Sequence, residues 1–154
     1  MSGIVGGAGS RSGVIGYTEI DYEEGDWTPK FEGTGGSGGS IAYGSRYGRY
    51  TKIGRLVTCA FEVLLTNHGS YSGAVRFDGL PYTSKNDNVI PCAGPVYLTN
   101  TNYSGHMVSV YIINNAKQFY LFITKTGGVY DAVTVPETAI VDTSGFGGTF
   151  SYWI

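Results

Sequence analysis

Hydrophobic and polar positions alternate most cleanly over residues 55–65. Val57, Cys59, Phe61, Val63 and Leu65 fall on one face there, and Leu56, Thr58, Ala60, Glu62 and Leu64 on the other. A period of two is that of a strand, and apolar content on both faces predicts a strand covered on each side, central in its sheet. Asn67-His68-Gly69-Ser70 reads as a turn and residues 71–77 as a return strand. Residues 107–113, 119–124 and 128–135 read as successive antiparallel strands, with Asn114-Asn115-Ala116-Lys117 as the first turn between them and residues 125–127 as the second. Residues 89–98 hold Pro91 and Pro95 and so predict an irregular or edge strand. The alternation resumes in residues 147–154 and runs to Ile154. No window shows the helical period with caps. About eight to ten short strands predict an all-β fold, an antiparallel, jelly-roll-like β-sandwich.

The first forty residues follow another pattern. Residues 1–16 carry six glycines and two apolar pairs, Ile4-Val5 and Val14-Ile15. So much glycine holds no helix or strand unaided, which predicts an extended arm whose apolar pairs anchor it in a partner. Residues 17–40 form an acidic and aromatic edge segment followed by a Gly/Ser linker, and residues 41–154 the sandwich domain. Within the edge segment Glu19, Asp21 and Glu23 alternate with Ile20 and Tyr22, a short half-exposed strand, and Pro29 restricts any strand there to an edge or a start.

Composition narrows the class. Glycine accounts for 25 of 154 residues and tyrosine for 13, while only 14% are charged. Aromatic and β-branched residues with so much glycine suit short strands joined by tight turns, not disorder. A net charge of -2 leaves no basic footprint for nucleic acid. No apolar run approaches the ~18 residues of a membrane-crossing helix, and the start has neither the basic nor the apolar part of a signal peptide. The expectation is synthesis in a cytoplasm, without export by such a signal or membrane insertion. Cys59 and Cys92 are too few for a disulfide framework or structural zinc and read as buried thiols.

Catalytic chemistry is hard to place. The two histidines, His68 in a turn and His106 at a strand start, lack a nucleophile context or metal-ligand spacing. Gly33, Gly35 and Gly38 match a dinucleotide-binding spacing, but no buried strand precedes them and no helix pattern follows. The carboxylates at 19–26 lack the spacing of a calcium loop. The expectation is a protein that is not an enzyme and has no cofactor or metal. Tyr71, Tyr82, Tyr97 and Tyr103 lie in or beside turns rich in Asn, Thr and Ser, a composition suited to binding a receptor or glycan.

One pair of motifs carries a resemblance. Glu24-Gly25-Asp26-Trp27-Thr28-Pro29, a Gly/Ser-rich gap, then Gly48-Arg49-Tyr50-Thr51-Lys52-Ile53-Gly54-Arg55-Leu56-Val57-Thr58 resembles a β-domain recurrent in bacteriophage virion proteins. It is frequent in tail fibres and small structural proteins of marine phages. That family's wording is approximately EGTWTP and GRYTKIGNLV, so Asp26 and Arg55 depart from it. Gly79-Leu80-Pro81-Tyr82 is similar to the family's Gly-Leu-Pro turn, and the aromatic strand at 150–154 and the glycine-rich opening extend the likeness. The resemblance implies a homotrimeric β-sandwich subunit of a virion, such as a tail fibre or spike presenting a surface to a host receptor or glycan, and it carries over no catalytic residue. The arm would join other virion proteins. Alternatives are a capsid-decoration or cement protein, and a carbohydrate-binding or carbohydrate-degrading module.

Arg46, Arg49, Lys52 and Arg55 recur every third position, so strand alternation sets Arg46 and Lys52 against Arg49 and Arg55. One pair is expected to meet the 19–26 carboxylates of the same or a neighbouring subunit. Asp21, Glu23, Trp27, Arg49, Tyr50, Lys52 and Arg55 are the candidate interface residues.

Overall fold

The computed structural model describes residues 21–86, 92–102, 107–124 and 132–154. The arm residues Ile4, Val5, Val14 and Ile15, and also Tyr103 and His106, lie outside the described residues. The strands are β1 (Tyr22–Trp27), β2 (Lys30–Gly33), β3 (Ser37–Gly38), β4 (Ala42–Ile53), β5 (Leu56–Asn67), β6 (Ser70–Tyr71), β7 (Val75–Asp78), β8 (Cys92–Thr99), β9 (Val108–Ile112), β10 (Gln118–Thr124), β11 (Ala132–Thr134) and β12 (Gly145–Trp153). One 3-10 turn, Glu137–Ala139, precedes β12. The protein is all-β, as the alternation predicts.

All pairings in the main sheet are antiparallel, and the strand order is β1-β4-β5-β12-β8-β9-β10-β7-β2, with β11 on β10. β3 and β6 form a separate ribbon. The strands at the two ends of this path, β1 and β2, are consecutive in the chain and joined only by Thr28 and Pro29. So short a link forces the sheet to curl until its ends meet, and its two halves become the layers of a sandwich. The Tyr43 hydroxyl on β4 accepts from the Phe31 amide on β2 at 3.1 Å and helps hold the ends together.

The core is where the halves face each other. Val57, Cys59, Phe61, Val63 and Leu65 of β5 are buried as the alternation requires. From β5 and β12, Phe61, Phe146 and Phe150 meet Phe31, Phe77 and Phe119 from β2, β7 and β10, with ring centroids 5.0–5.7 Å apart. Each buried Phe contributes about 1.5–3 kcal/mol, and the edge-to-face pairs add a fraction of that.

Several expectations need correction. The segment at 17–40 does form edge strands, β1 and β2 at the two ends of the sheet, but it belongs to the sandwich itself, since Trp27 and Phe31 are core residues. Pro29 does sit immediately before a strand start. The linker at 33–39 contains β3. Residues 71–77 do not return against β5, because the strand resumes as β7, which pairs with β2 and β10 in the opposite layer. β8 is irregular, with a register shift between Cys92 and Gly94, but it is not at an edge, since it lies between β12 and β9. Its Pro95 is tolerated because Pro95 pairs with Ser109 of β9, whereas the ladder to β12 reaches only Val96.

Candidate interaction surface

The two halves of the family-like motif form one structural unit. β1 pairs with β4 so that Trp27 stands opposite Gly48, Gly25 opposite Tyr50 and Asp26 opposite Arg49. Trp27 Nε1 donates to the Arg49 carbonyl at 3.2 Å, and the indole reaches Phe61, Phe119 and Phe150. Gly54 and Arg55 join β4 to β5, and Gly54 has φ +58°, the left-handed backbone a two-residue hairpin requires at its first central position. The Arg55 Nε donates to the Ile154 carbonyl at 2.8 Å and ties the last residue to this turn.

Inward-facing positions of β1 and β4 extend beyond the aromatic core into a polar cluster. Lys52, 8% exposed, lies 2.6 Å from the Asp21 carboxylate and over the Tyr82 ring. Tyr50 donates to Glu23 at 2.6 Å and meets Tyr82 edge-on. The hydroxyls of Tyr50 and Tyr82 hold the Glu23 carboxyl below its ordinary value, and the same carboxylate pushes both phenols up. Tyr152 on β12 donates to the Tyr82 carbonyl and accepts from its amide, clamping the Gly79-Leu80-Pro81-Tyr82 loop. These contacts fasten the edge strand β1 to the body of the protein.

Outward-facing positions form a continuous surface. Across β1, β4, β5 and β12 the register builds lateral rows: Tyr22, Ile53, Leu56 and Trp153; then Glu24, Thr51, Thr58 and Ser151; then Asp26, Arg49, Ala60 and Thr149. The next row is Tyr47, Glu62 and Gly147, continued by Tyr97 of β8. Of the seven exposed large hydrophobics among the described residues, six stand on this face: Tyr22, Tyr47, Ile53, Leu64, Tyr97 and Trp153. A cleft of about 360 Å³ opens at the β1 margin, lined by Glu24, Gly25, Asp26, Arg49, Tyr50 and Thr51.

The candidate residues divide accordingly. Arg49 and Arg55 are exposed; Arg49 approaches Asp26 at 3.7 Å. The expected split of basic residues between faces holds for Lys52 against Arg49, but each expected pair supplies one partner to the 21–26 carboxylates, instead of one pair supplying both. Glu23, Tyr50 and Lys52 face inward in the polar cluster, and two further candidates lie in the core. Trp27 is buried under the closing sheet, and Tyr71 is buried with its ring edge-on to Phe31 at 4.9 Å. Tyr82 is half-buried in the polar cluster, and Tyr97 is 71% exposed. Tyr22, Tyr47, Ile53 and Trp153 escaped the sequence reasoning, although the parity that buries Lys52 on β4 puts Tyr47 and Ile53 on the other side.

His68 Nδ1 lies 2.7 Å from Asp142, whose carboxylate also accepts from the His68 amide and is thereby held below its usual range. Cys59 is fully buried, and desolvation pushes its thiol up to about 12. Among the described residues no group of three or more His, Cys, Asp or Glu could hold a metal ion, and no helix is long and apolar enough to cross a membrane.

The fold and the register together define an all-β antiparallel sandwich with one broad exposed face rich in large hydrophobic residues. No family model and no curated protein matches the chain. Among solved structures, the Dettilon tailspike protein contains a region of the same fold, with a TM-score of 0.64 and 20% identity, covering 84% of this chain. The chain spans 23% of the length of that protein.

Proposed function

We propose that this chain is a non-enzymatic structural module of a phage virion: a subunit of a homotrimeric tail fibre or spike that presents a host-receptor surface. The observation that carries the reading is the fold shared with part of a tailspike protein over 84% of the chain. Support comes from the exposed aromatic face, which suits assembly or recognition. In this reading Ile4, Val5, Val14 and Ile15 join the chain to other virion proteins. A glycan is the natural class of receptor for Tyr-rich, hydroxyl-rich surfaces of low net charge.

Particles of the phage that encodes the chain provide the test. Mass spectrometry should detect the protein in purified particles, and gold-labelled antibody should mark the tail appendages. Label spread over the shell would replace this reading with capsid decoration, and absence from particles would overturn both. Purified protein should also compete with particles for adsorption to host cells without releasing reducing sugar ends from host polysaccharide.

A further inference from the structure

We infer that the outer face of β1-β4-β5-β12-β8 is the surface through which copies of this chain associate with one another. The inference deepens the proposed reading of an oligomeric appendage subunit, but its grounds lie in the face itself.

The face has a relief that fits itself. At the β4–β5 turn end, Tyr22, Ile53, Leu56 and Trp153 form an apolar ridge running across four strands. Beside it lies a floor of short side chains, Thr58, Ser151, Ala60 and Thr149, and beyond that stand Tyr47 and Tyr97. The ridge of one copy fits the floor of the next. Two copies can close such a contact about a two-fold axis, and three about a three-fold axis with each ridge on its neighbour's floor.

Thr58 and Ser151 hydrogen-bond each other at 2.9 Å, so one of their two O–H donors is already satisfied when the floor is covered. Charge complements the relief. Arg49 is 88% exposed at its side chain and only loosely held by Asp26, so it is free to reach Glu24 or Glu62 of another copy. The extent is modest: the four rows, each four strands wide at about 4.8 Å per strand and about 6.7 Å per row, cover roughly 500 Å². Counted on both partners that is about 1,000 Å², the low end for a specific interface.

The experiment is light scattering on the purified full-length chain over a concentration series, with Ile53→Lys for the ridge and Tyr97→Lys beyond the floor. Both positions are more than half exposed, so the lysines leave the fold intact, which circular dichroism and the denaturation midpoint of the dilute monomer will verify. The wild type should show the mass of two or three copies, and each variant should weaken association at least about tenfold. Asn114→Lys, exposed in the turn between β9 and β10 and so outside these five strands, should associate like the wild type. A full-length chain with Ile4, Val5, Val14 and Ile15 all changed to Asp should also retain its oligomer. A monomeric wild type, face variants that associate normally, or an oligomer lost only with the arm substitutions would each overturn the inference. Detection in particles is a separate readout, so a monomeric wild type removes the homotrimer from the proposed reading and leaves the virion module standing on its own test.

Discussion

Trp27 and Gly48 stand opposite each other in β1 and β4, and the indole fills the space a Cβ on Gly48 would need, its nearest atoms 2.5 Å from that position. The spacing explains why a tryptophan motif and a glycine motif some twenty residues apart act as a unit: the glycine admits the ring that plugs the end of the sandwich.

Gly48→Ala therefore forces the indole off three aromatic neighbours. The expected loss is about 1–3 kcal/mol, the usual cost of overpacking, read as a lower denaturant midpoint with an unchanged slope. Trp27→Ala, which opens a cavity instead, should cost more, about 3–5 kcal/mol. A Gly48→Ala midpoint equal to wild type would show that the ring has room to move.

Lys52 and Asp21 form a pair with one buried and one exposed member, their side chains 10% and 68% accessible. Asp21→Ala leaves an ammonium group with little water and only the Glu23 carboxylate for a counter-charge, so it should destabilise by about 1 kcal/mol. In a Lys52→Met background the same change should have almost no effect. Equal losses in both backgrounds would mean that the two residues are not coupled.

Acid should loosen two attachments. The folded-state values of Glu23 and Asp142 lie below their ordinary 4.5 and 3.8, so their contributions are present above those values and lost as pH falls through the lower folded ones. Stability should decline below about pH 4.5, and Glu23→Gln with Asp142→Asn should flatten that decline. Tyr82 has the opposite sign: its raised value favours the protonated phenol in the folded state, so its contribution is full below pH 10 and fades as the pH rises through the folded value. Denaturation midpoints measured across the pH range, with Tyr82→Phe for the alkaline limb, check both directions.

Cys59 should resist alkylation in the native protein, being fully buried with its thiol raised to about 12 by desolvation. Iodoacetamide with peptide-resolved mass spectrometry should label Cys59 only once denaturant unfolds the chain. Rapid labelling of native protein at neutral pH would contradict the packing around β5.

Much of the fold is legible in the chain because burial in a sheet has a period of two. The alternation at 55–65 identified the inner face of β5, and residues 107–113 and 119–124 coincide closely with β9 and β10. For β8 the prolines point to an irregular or an edge strand; the register shift between Cys92 and Gly94 bears out the first, and only the neighbouring ladders show that the second fails, because the ladder to β12 stops short of Pro95. Tyr71 and Trp27 were placed outward for a related reason: short strands among glycines have no parity long enough to assign a face.

What the sequence by itself determined is local: strand identity and the inward set of β5. Tertiary structure alone decided which strands are neighbours, because that depends on β1 and β2 closing a curled sheet across a two-residue link. It also decided the interaction surface. The row of Tyr22, Ile53, Leu56 and Trp153 is assembled from positions up to 131 residues apart, counted from Tyr22 to Trp153, and hydrogen-bond register between strands, not proximity along the chain, puts them side by side.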